Sequence, residues 1–350
     1  MKNKVNNRQY NTKKTKSKNK VKKIKTWKLI LYFVLFQFLF GIATAPIIVY
    51  YSPLFTNLRK NIVGTAMSTN SHAFIATLFL SDKQIQQILN GDGSSSVSAM
   101  AQDLSRINLS GGDNRIEKAT IQGKKFNGIM VIVHNPKRVK IGYSSKLGTV
   151  GQKTSEIAKE NNAVAAINGG GFNDKGNNST TLWTGTGAIP TGIVISRGKL
   201  IFPQREDLDT KQVFSGVAGI TNKGKLVVGD HTVDELLQLG VTDALCFGPT
   251  LIENGTEIKG LQYQGANPRT AIGQKSDGSI ILLTIDGRQG LEAGATIEDV
   301  QQTMKEEGVL NAVNLDGGAS TTMYYDGKVI NSPSDKFGER PVPTAIYVTK

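Results

Sequence analysis

The 350-residue chain is long enough for one large domain or two smaller ones. Its formal net charge is +14, but twelve of the 42 Lys and Arg lie within residues 1–28, where there is no Asp or Glu. The rest carries 30 basic against 28 acidic residues, which excludes a strongly basic body, and no nucleic-acid partner is expected.

The tail, residues 1–28, is also rich in Asn and Thr and has no hydrophobic period, so it reads as a disordered cytoplasmic segment. Residues 29–51 follow as a transmembrane anchor. No charged residue stands between Lys28 and Arg59, and about twenty apolar residues suffice to span a bilayer. The Lys-rich side stays in the cytoplasm by the positive-inside rule, which places the C-terminal body outside the cell membrane. A cleaved signal peptide is the competing reading. Its apolar stretch is normally about 7–15 residues, and Pro46 directly after Ala43-Thr44-Ala45 opposes cleavage. A single cysteine, Cys246, rules out an internal disulfide, which suits an exported protein on a bacterial surface.

Residues 52–116 read as a stalk. A helix is predicted over 71–90, with a capping box at Ser81-Asp82-Lys83-Gln84, and residues 91–96 read as a Gly/Ser linker. From 117 to 350 the texture becomes short apolar runs separated by turn signals. A strand covers 128–133. Hairpins turn at Arg197-Gly198, Asn222-Lys223-Gly224, Ser276-Asp277-Gly278 and Asp326-Gly327. Helices fit 155–161, 233–239 and 297–307, the last capped by Thr296 with Asp299 in its first turn. Cys246 belongs to the apolar run 243–247, read as a core strand. Strands that dominate, with a few helices packed on them, define an α+β domain of mixed, mainly antiparallel sheets.

Four polar, glycine-rich loops follow apolar strands. They are Asn168-Gly169-Gly170-Gly171-Phe172-Asn173-Asp174, Phe247-Gly248-Pro249-Thr250, the pair Asn267-Pro268-Arg269-Thr270-Ala271 with Asp286-Gly287-Arg288, and Asn314-Leu315-Asp316-Gly317-Gly318-Ala319-Ser320-Thr321-Thr322. Glycines let the backbone turn and bring N–H groups to a ligand, while hydroxyls and a carboxylate add directed polar contacts. That chemistry suits an oxygen-rich substrate such as a sugar or sugar phosphate.

The order and spacing of Asn168-Gly169-Gly170, Asn267-Pro268-Arg269-Thr270-Ala271-Ile272-Gly273, Asp286-Gly287-Arg288 and Asn314-Leu315-Asp316-Gly317-Gly318 make residues 117–350 resemble the phosphodiester glycosidase family. Gly171 and Ala319 depart from the pattern, which usually has an aromatic at the first and a glycine at the second. The resemblance implies cleavage of a sugar–phosphate bond at the anomeric carbon. Asp286 and Asp316 are the matching carboxylate pair, since glycosyl transfer usually employs two. Arg269 is the expected phosphate binder, with Arg288 as a second candidate, because a guanidinium grips phosphate in two-pronged fashion. Asn168, Gly169, Gly170, Thr270, Gly317, Gly318, Ser320, Thr321 and Thr322 are the expected substrate contacts.

The expectation is an anchored extracellular hydrolase acting on cell-wall or exopolysaccharide glycans. The alternatives are a glycosyl-phosphate transferase using the same groups, and a non-catalytic glycan-binding or assembly protein. No cofactor is required by the pattern. Asp174, Asp286 and Asp316 are oxygen ligands for a candidate Ca2+. His72, His134 and His231 form no zinc motif.

Overall fold

The computed structural model of the chain describes residues 25–67, 74–90, 102–109, 113–123, 126–173, 186–204, 208–261, 263–290 and 292–350. Most of the basic tail, the 91–96 linker, His72 and Asp174 lie outside the described residues. The chain divides into two units, 1–52 and 53–350.

The first unit contains the helix Thr26–Tyr51, about 39 Å long at 1.5 Å per residue. It carries no charged side chain between Lys28 and its end, and its most apolar 18 residues have a mean hydropathy of 2.0. Among the described residues it is the one helix long and apolar enough to cross a membrane.

The second unit begins with short helices at Thr56–Met67, Phe74–Thr77 and Asp82–Asn90. The last two replace the single helix expected over 71–90. The chain breaks at 78–81, where Ser81 caps the next helix by accepting from the Gln84 N–H (3.4 Å) while its own N–H donates to Gln84 Oε1 (2.9 Å). Within the segment read as a stalk, the helix Thr56–Met67 lies against residues 263–265. A Cβ on Gly64 would lie 2.9 Å from the Gly265 nitrogen and 3.0 Å from the Tyr263 ring, and the Tyr263 hydroxyl hydrogen-bonds Asn61 Oδ1.

Three sheets surround a common core. The largest has seven strands in the order Ile116–Gln122, Asn127–Val133, Ile280–Ile285, Arg269–Lys275, Val309–Leu315, Thr250–Glu253 and Thr256–Glu257. A second runs Leu226–Thr232, Val213–Thr221, Val241–Cys246, Val194–Ser196 and Lys199–Phe202. The third runs Lys328–Val329, Met323–Tyr325, Ala163–Asn168, Thr344–Thr349 and Val139–Tyr143. All the pairings within these three sheets are antiparallel.

Among the central strands Ile280–Ile285 is apolar at every position but Thr284, because both its faces are covered. In Ile280–Ile285, Ile280 and Leu282 point into the common core beside Ile167, Ile220 and Val313. Ile281, Leu283 and Ile285 point outward and lie under the helix Ile297–Glu306, which presents Ile297, Val300 and Met304 at helical spacing. Thr296 caps that helix by accepting from the Asp299 N–H, and Asp299 accepts from the Thr296 N–H in return (2.8 Å). The expected hairpins all form, with Arg197, Gly198, Asp326 and Gly327 at positive φ in their turns.

Candidate active site

Antiparallel pairing brings three strand ends to one edge. Arg269 opposes Ile285 and Thr270 opposes Leu315, so the start of Arg269–Lys275 meets the ends of Ile280–Ile285 and Val309–Leu315. Asp286 and Asp316 follow those two ends directly. The third sheet joins them through the Asp316 N–H, which donates to the Gly169 carbonyl at 3.2 Å. The second sheet joins through the Gly248 N–H, which donates to the Asn314 carbonyl at 3.1 Å.

Asn168 ties this junction together. Its Nδ2 donates to the Asp316 carbonyl (2.6 Å), and its Oδ1 accepts from Thr270 Oγ1 (2.8 Å) and from the Thr322 N–H (3.1 Å). Thr322 Oγ1 donates back to the Ser320 carbonyl (3.1 Å). Asn168 and Thr270 are 0% exposed, and Ser320, Thr321 and Thr322 are 1% exposed, so a substrate finds no surface on them in this conformation. They stand behind the Asp316 turn and fix its backbone.

The glycines permit close packing rather than offering open surface. A Cβ on Gly169 would meet Thr344 Oγ1 at 2.5 Å, and one on Gly170 would meet the Cys246 carbonyl oxygen at 2.6 Å. Gly317 lies against the Pro268 carbonyl, where a Cβ would come within 2.7 Å. Gly318 turns at φ +60°, and its Cα supports the Arg288 guanidinium, whose nitrogens would be 3.3 and 3.4 Å from a Cβ there.

The two arginines differ. Arg269 is buried, at 4% exposure, and its guanidinium donates to the Ala295 carbonyl (3.0 Å), Gln264 Oε1 (2.8 Å) and the Gly265 carbonyl (2.7 Å). Burial pulls its pKa down to about 10, which leaves it charged at neutral pH. Arg288 exposes part of its side chain to solvent, yet protein crowding its guanidinium lowers its pKa from the ordinary value. One of its nitrogens donates to Asn267 Oδ1 (2.7 Å). Its backbone sits at φ +59°, a left-handed conformation that costs a non-glycine residue roughly 1–2 kcal/mol.

Asp316 is half-buried. Asp286 is half-buried too, and its carboxylate accepts from Asn331 Nδ2 (2.9 Å) and from the Ser332 N–H (3.1 Å). Desolvation raises its pKa, partly offset by those two hydrogen bonds. Asn331 also donates to the Thr321 carbonyl (3.1 Å) and accepts from the Met323 N–H (2.7 Å), linking Asp286 to the segment after Asp316. Sequence reading missed Asn331, which stands in no motif. It also missed Asn267, whose only mark was its place before Pro268-Arg269. Phe247, read as the end of a core strand, is 41% exposed. Cys246 beside it is buried, and its thiol pKa is pushed up to about 11 by desolvation, which opposes a nucleophilic role.

Among the described residues no three His, Cys, Asp or Glu side chains gather in a metal-binding group. His134 hydrogen-bonds Glu117, and His231 bonds the Val228 carbonyl of its own hairpin.

Residues 161–349 match the family model described as phosphodiester glycosidase, more than half of the chain, and the chain belongs to that family. A SPbeta prophage-derived protein of Bacillus subtilis (strain 168), YomE, is 31% identical over 211 residues, covering 57% of this chain and 30% of that protein. The human N-acetylglucosamine-1-phosphodiester alpha-N-acetylglucosaminidase is 29% identical over 136 residues, covering 38% of this chain and 24% of the enzyme. The chain thus spans less than a third of the length of these curated relatives. The zebrafish enzyme's catalytic domain, auto-inhibited by its pro-peptide, superposes with a TM-score of 0.55 at 22% identity, covering 71% of this chain and 91% of that one. That likeness establishes the fold.

Proposed function

We propose that this chain is a membrane-anchored glycosidase that hydrolyses a sugar-1-phosphodiester in an extracellular glycan, such as a wall polymer or exopolysaccharide. The helix Thr26–Tyr51 serves as the single-pass anchor, with the basic tail cytoplasmic and residues 53–350 outside. The observation that carries the reading is the Arg288 guanidinium lying over Gly318, two residues beyond the Asp316 carboxylate, at an edge where all three sheets meet.

In this reading Arg288 holds the phosphate through charge-assisted hydrogen bonds. Its fixed left-handed backbone and its bond to Asn267 aim it there. Asp316 acts at the anomeric carbon as base or nucleophile. In the net reaction a water oxygen replaces the phosphate oxygen on that carbon, the bonding pair leaves with the phosphate, and the water proton passes to a carboxylate. The departing phosphate is a weak base and needs little protonation. Asp286 steadies the Asn331–Ser332 segment and serves as the second carboxylate. Arg269, Asn168, Gly169, Gly170, Thr270, Ser320, Thr321 and Thr322 act as support: they hold the backbone of the site instead of touching substrate. Calcium at Asp286 and Asp316 would need several further oxygen ligands.

The test uses the full chain in detergent with a GlcNAc-1-phosphodiester. Wild type releases free sugar, Asp316→Asn melts like wild type but loses turnover, and Arg288→Ala loses about 10- to 100-fold in kcat/KM, the scale of one or two charged hydrogen bonds. A glycosylated acceptor in place of free sugar would make the protein a transferase. Full turnover in Asp316→Asn would discard the assignment, and an EDTA arm tests the metal.

A further inference from the structure

The site's edge carries an aromatic ring that the reaction chemistry leaves unused. Phe247 directly follows the strand Val241–Cys246, and 41% of its surface is exposed, whereas Leu245 on that strand is 1% exposed and Cys246 is 5% exposed. Its position is fixed from both sides. The Phe247 N–H donates to the Gly216 carbonyl at 3.0 Å, and the Gly171 N–H donates to the carbonyl of the preceding Cys246 at 3.2 Å. The ring then lies against Gly171, where a Cβ would come within 2.7 Å of Cδ2 and 3.1 Å of Cε2. Any side chain at 171 would displace it, so Gly171 is what gives the ring this place.

The ring's supports are also the supports of Asp316. Gly248, next in the chain, donates to the Asn314 carbonyl (3.1 Å), and the Asn314 Nδ2 donates back to the Gly248 carbonyl (2.9 Å). Asn314 is two residues before Asp316. Gly171 is two residues after Gly169, whose carbonyl accepts from the Asp316 N–H. Phe247 is thus braced against the segment leading into Asp316 and against the loop that Asp316 bonds.

A single exposed Phe on a surface needs no explanation. One whose neighbours in the chain are bonded to the segments on either side of Asp316, next to glycine-rich polar loops, is a different case. A pyranose ring has a face lined by C–H groups, and an aromatic face offers it an apolar, well-shaped partner. We propose that Phe247 is the stacking platform for the sugar ring next to the scissile bond, a specificity residue that selects pyranosides. This rests on the glycosidase reading for the identity of the scissile bond, and it is tested separately from it.

The full chain in detergent is titrated with methyl α-N-acetylglucosaminide and, in parallel, with a GlcNAc-1-phosphodiester, using saturation-transfer NMR for contact and chemical-shift change for Kd. Wild type transfers saturation to the ring C–H protons. Phe247→Ala removes that transfer and weakens Kd about tenfold, as expected from losing tens of Å² of apolar contact, with melting unchanged. Phe247→Trp restores both. Sugar binding of this kind without turnover of the phosphodiester would support the platform while rejecting the glycosidase reading. Binding that survives Phe247→Ala, or a folded wild type that takes up neither ligand, would overturn the platform.

Discussion

Replacing Asn168 with alanine separates support from substrate contact. Three hydrogen bonds end on this one side chain: the Asp316 carbonyl, Thr270 Oγ1 and the Thr322 N–H. Thr270 Oγ1 retains a long contact to Thr321 Oγ1 at 3.4 Å, so the Asp316 carbonyl and the Thr322 N–H are the groups left with a lost partner. Stranding the buried Thr322 N–H costs about 1–3 kcal/mol and the half-buried Asp316 carbonyl loses a bond worth about 0.5–1.5 kcal/mol, giving about 1.5–4.5 kcal/mol together. Against a total stability of about 5–15 kcal/mol that is a large fraction, and it should lower Tm by roughly 2–7 °C in a unit of this size. Thermal and urea denaturation of the full chain in detergent measure it. Turnover should fall mainly in kcat, because the Asp316 backbone loses its brace while the substrate loses no contact. An Asn168→Ala protein with wild-type melting and a raised KM alone would refute the reasoning and return Asn168 to the substrate-facing side.

Arg269→Ala should destabilise the folded body by about 2–5 kcal/mol, because the Ala295 and Gly265 carbonyls lose a charged donor, and denaturation checks it. Asp286 supplies a pH signature. Its folded pKa is raised above 3.8, so its protonated form favours the folded state, and that stabilisation is complete below the ordinary value and lost as pH rises through the folded pKa. Asp286→Asn should therefore gain stability relative to wild type as pH is raised from 3.8 toward neutrality, and a difference that shrinks with rising pH would contradict it. Cys246, buried with a thiol pKa of about 11, should resist thiol reagents at pH 8 until the protein is denatured, which a colorimetric thiol assay follows.

Local order was legible wherever a turn or cap has its own chemistry. Arg197-Gly198 and Asp326-Gly327 announce hairpins because a left-handed backbone favours glycine and tolerates few other residues. Thr296 and Asp299 announce a helix start because each side chain answers the other's N–H. Strand order was not legible. Asn127–Val133 pairs with Ile280–Ile285 across some 150 residues, and two apolar runs carry no mark of partnership. The same limit governs the site. Asp316, Gly317, Gly318 and Arg288 stand in recognisable motifs. Whether Asn168 faces a substrate or the protein interior depends on which sheet closes over it, and that is settled only by pairing. Asn331 was invisible because one Asn outside a motif says nothing until Asp286 is placed beside it. Phe247 misled because an apolar run reads as core up to its last residue.

The packing of Thr56–Met67 on residues 263–265 fixes where the protein can be cut. A soluble fragment begun near residue 100, at the apparent linker, would strip away Asn61 and Gly64 and lay bare Tyr263. It would also leave the loop that receives the Arg269 guanidinium unsupported. A fragment begun at Pro53 keeps the whole second unit. A cut upstream of Thr56 would leave the loop's brace in place, whereas a cut after Met67 would free a body that had lost it.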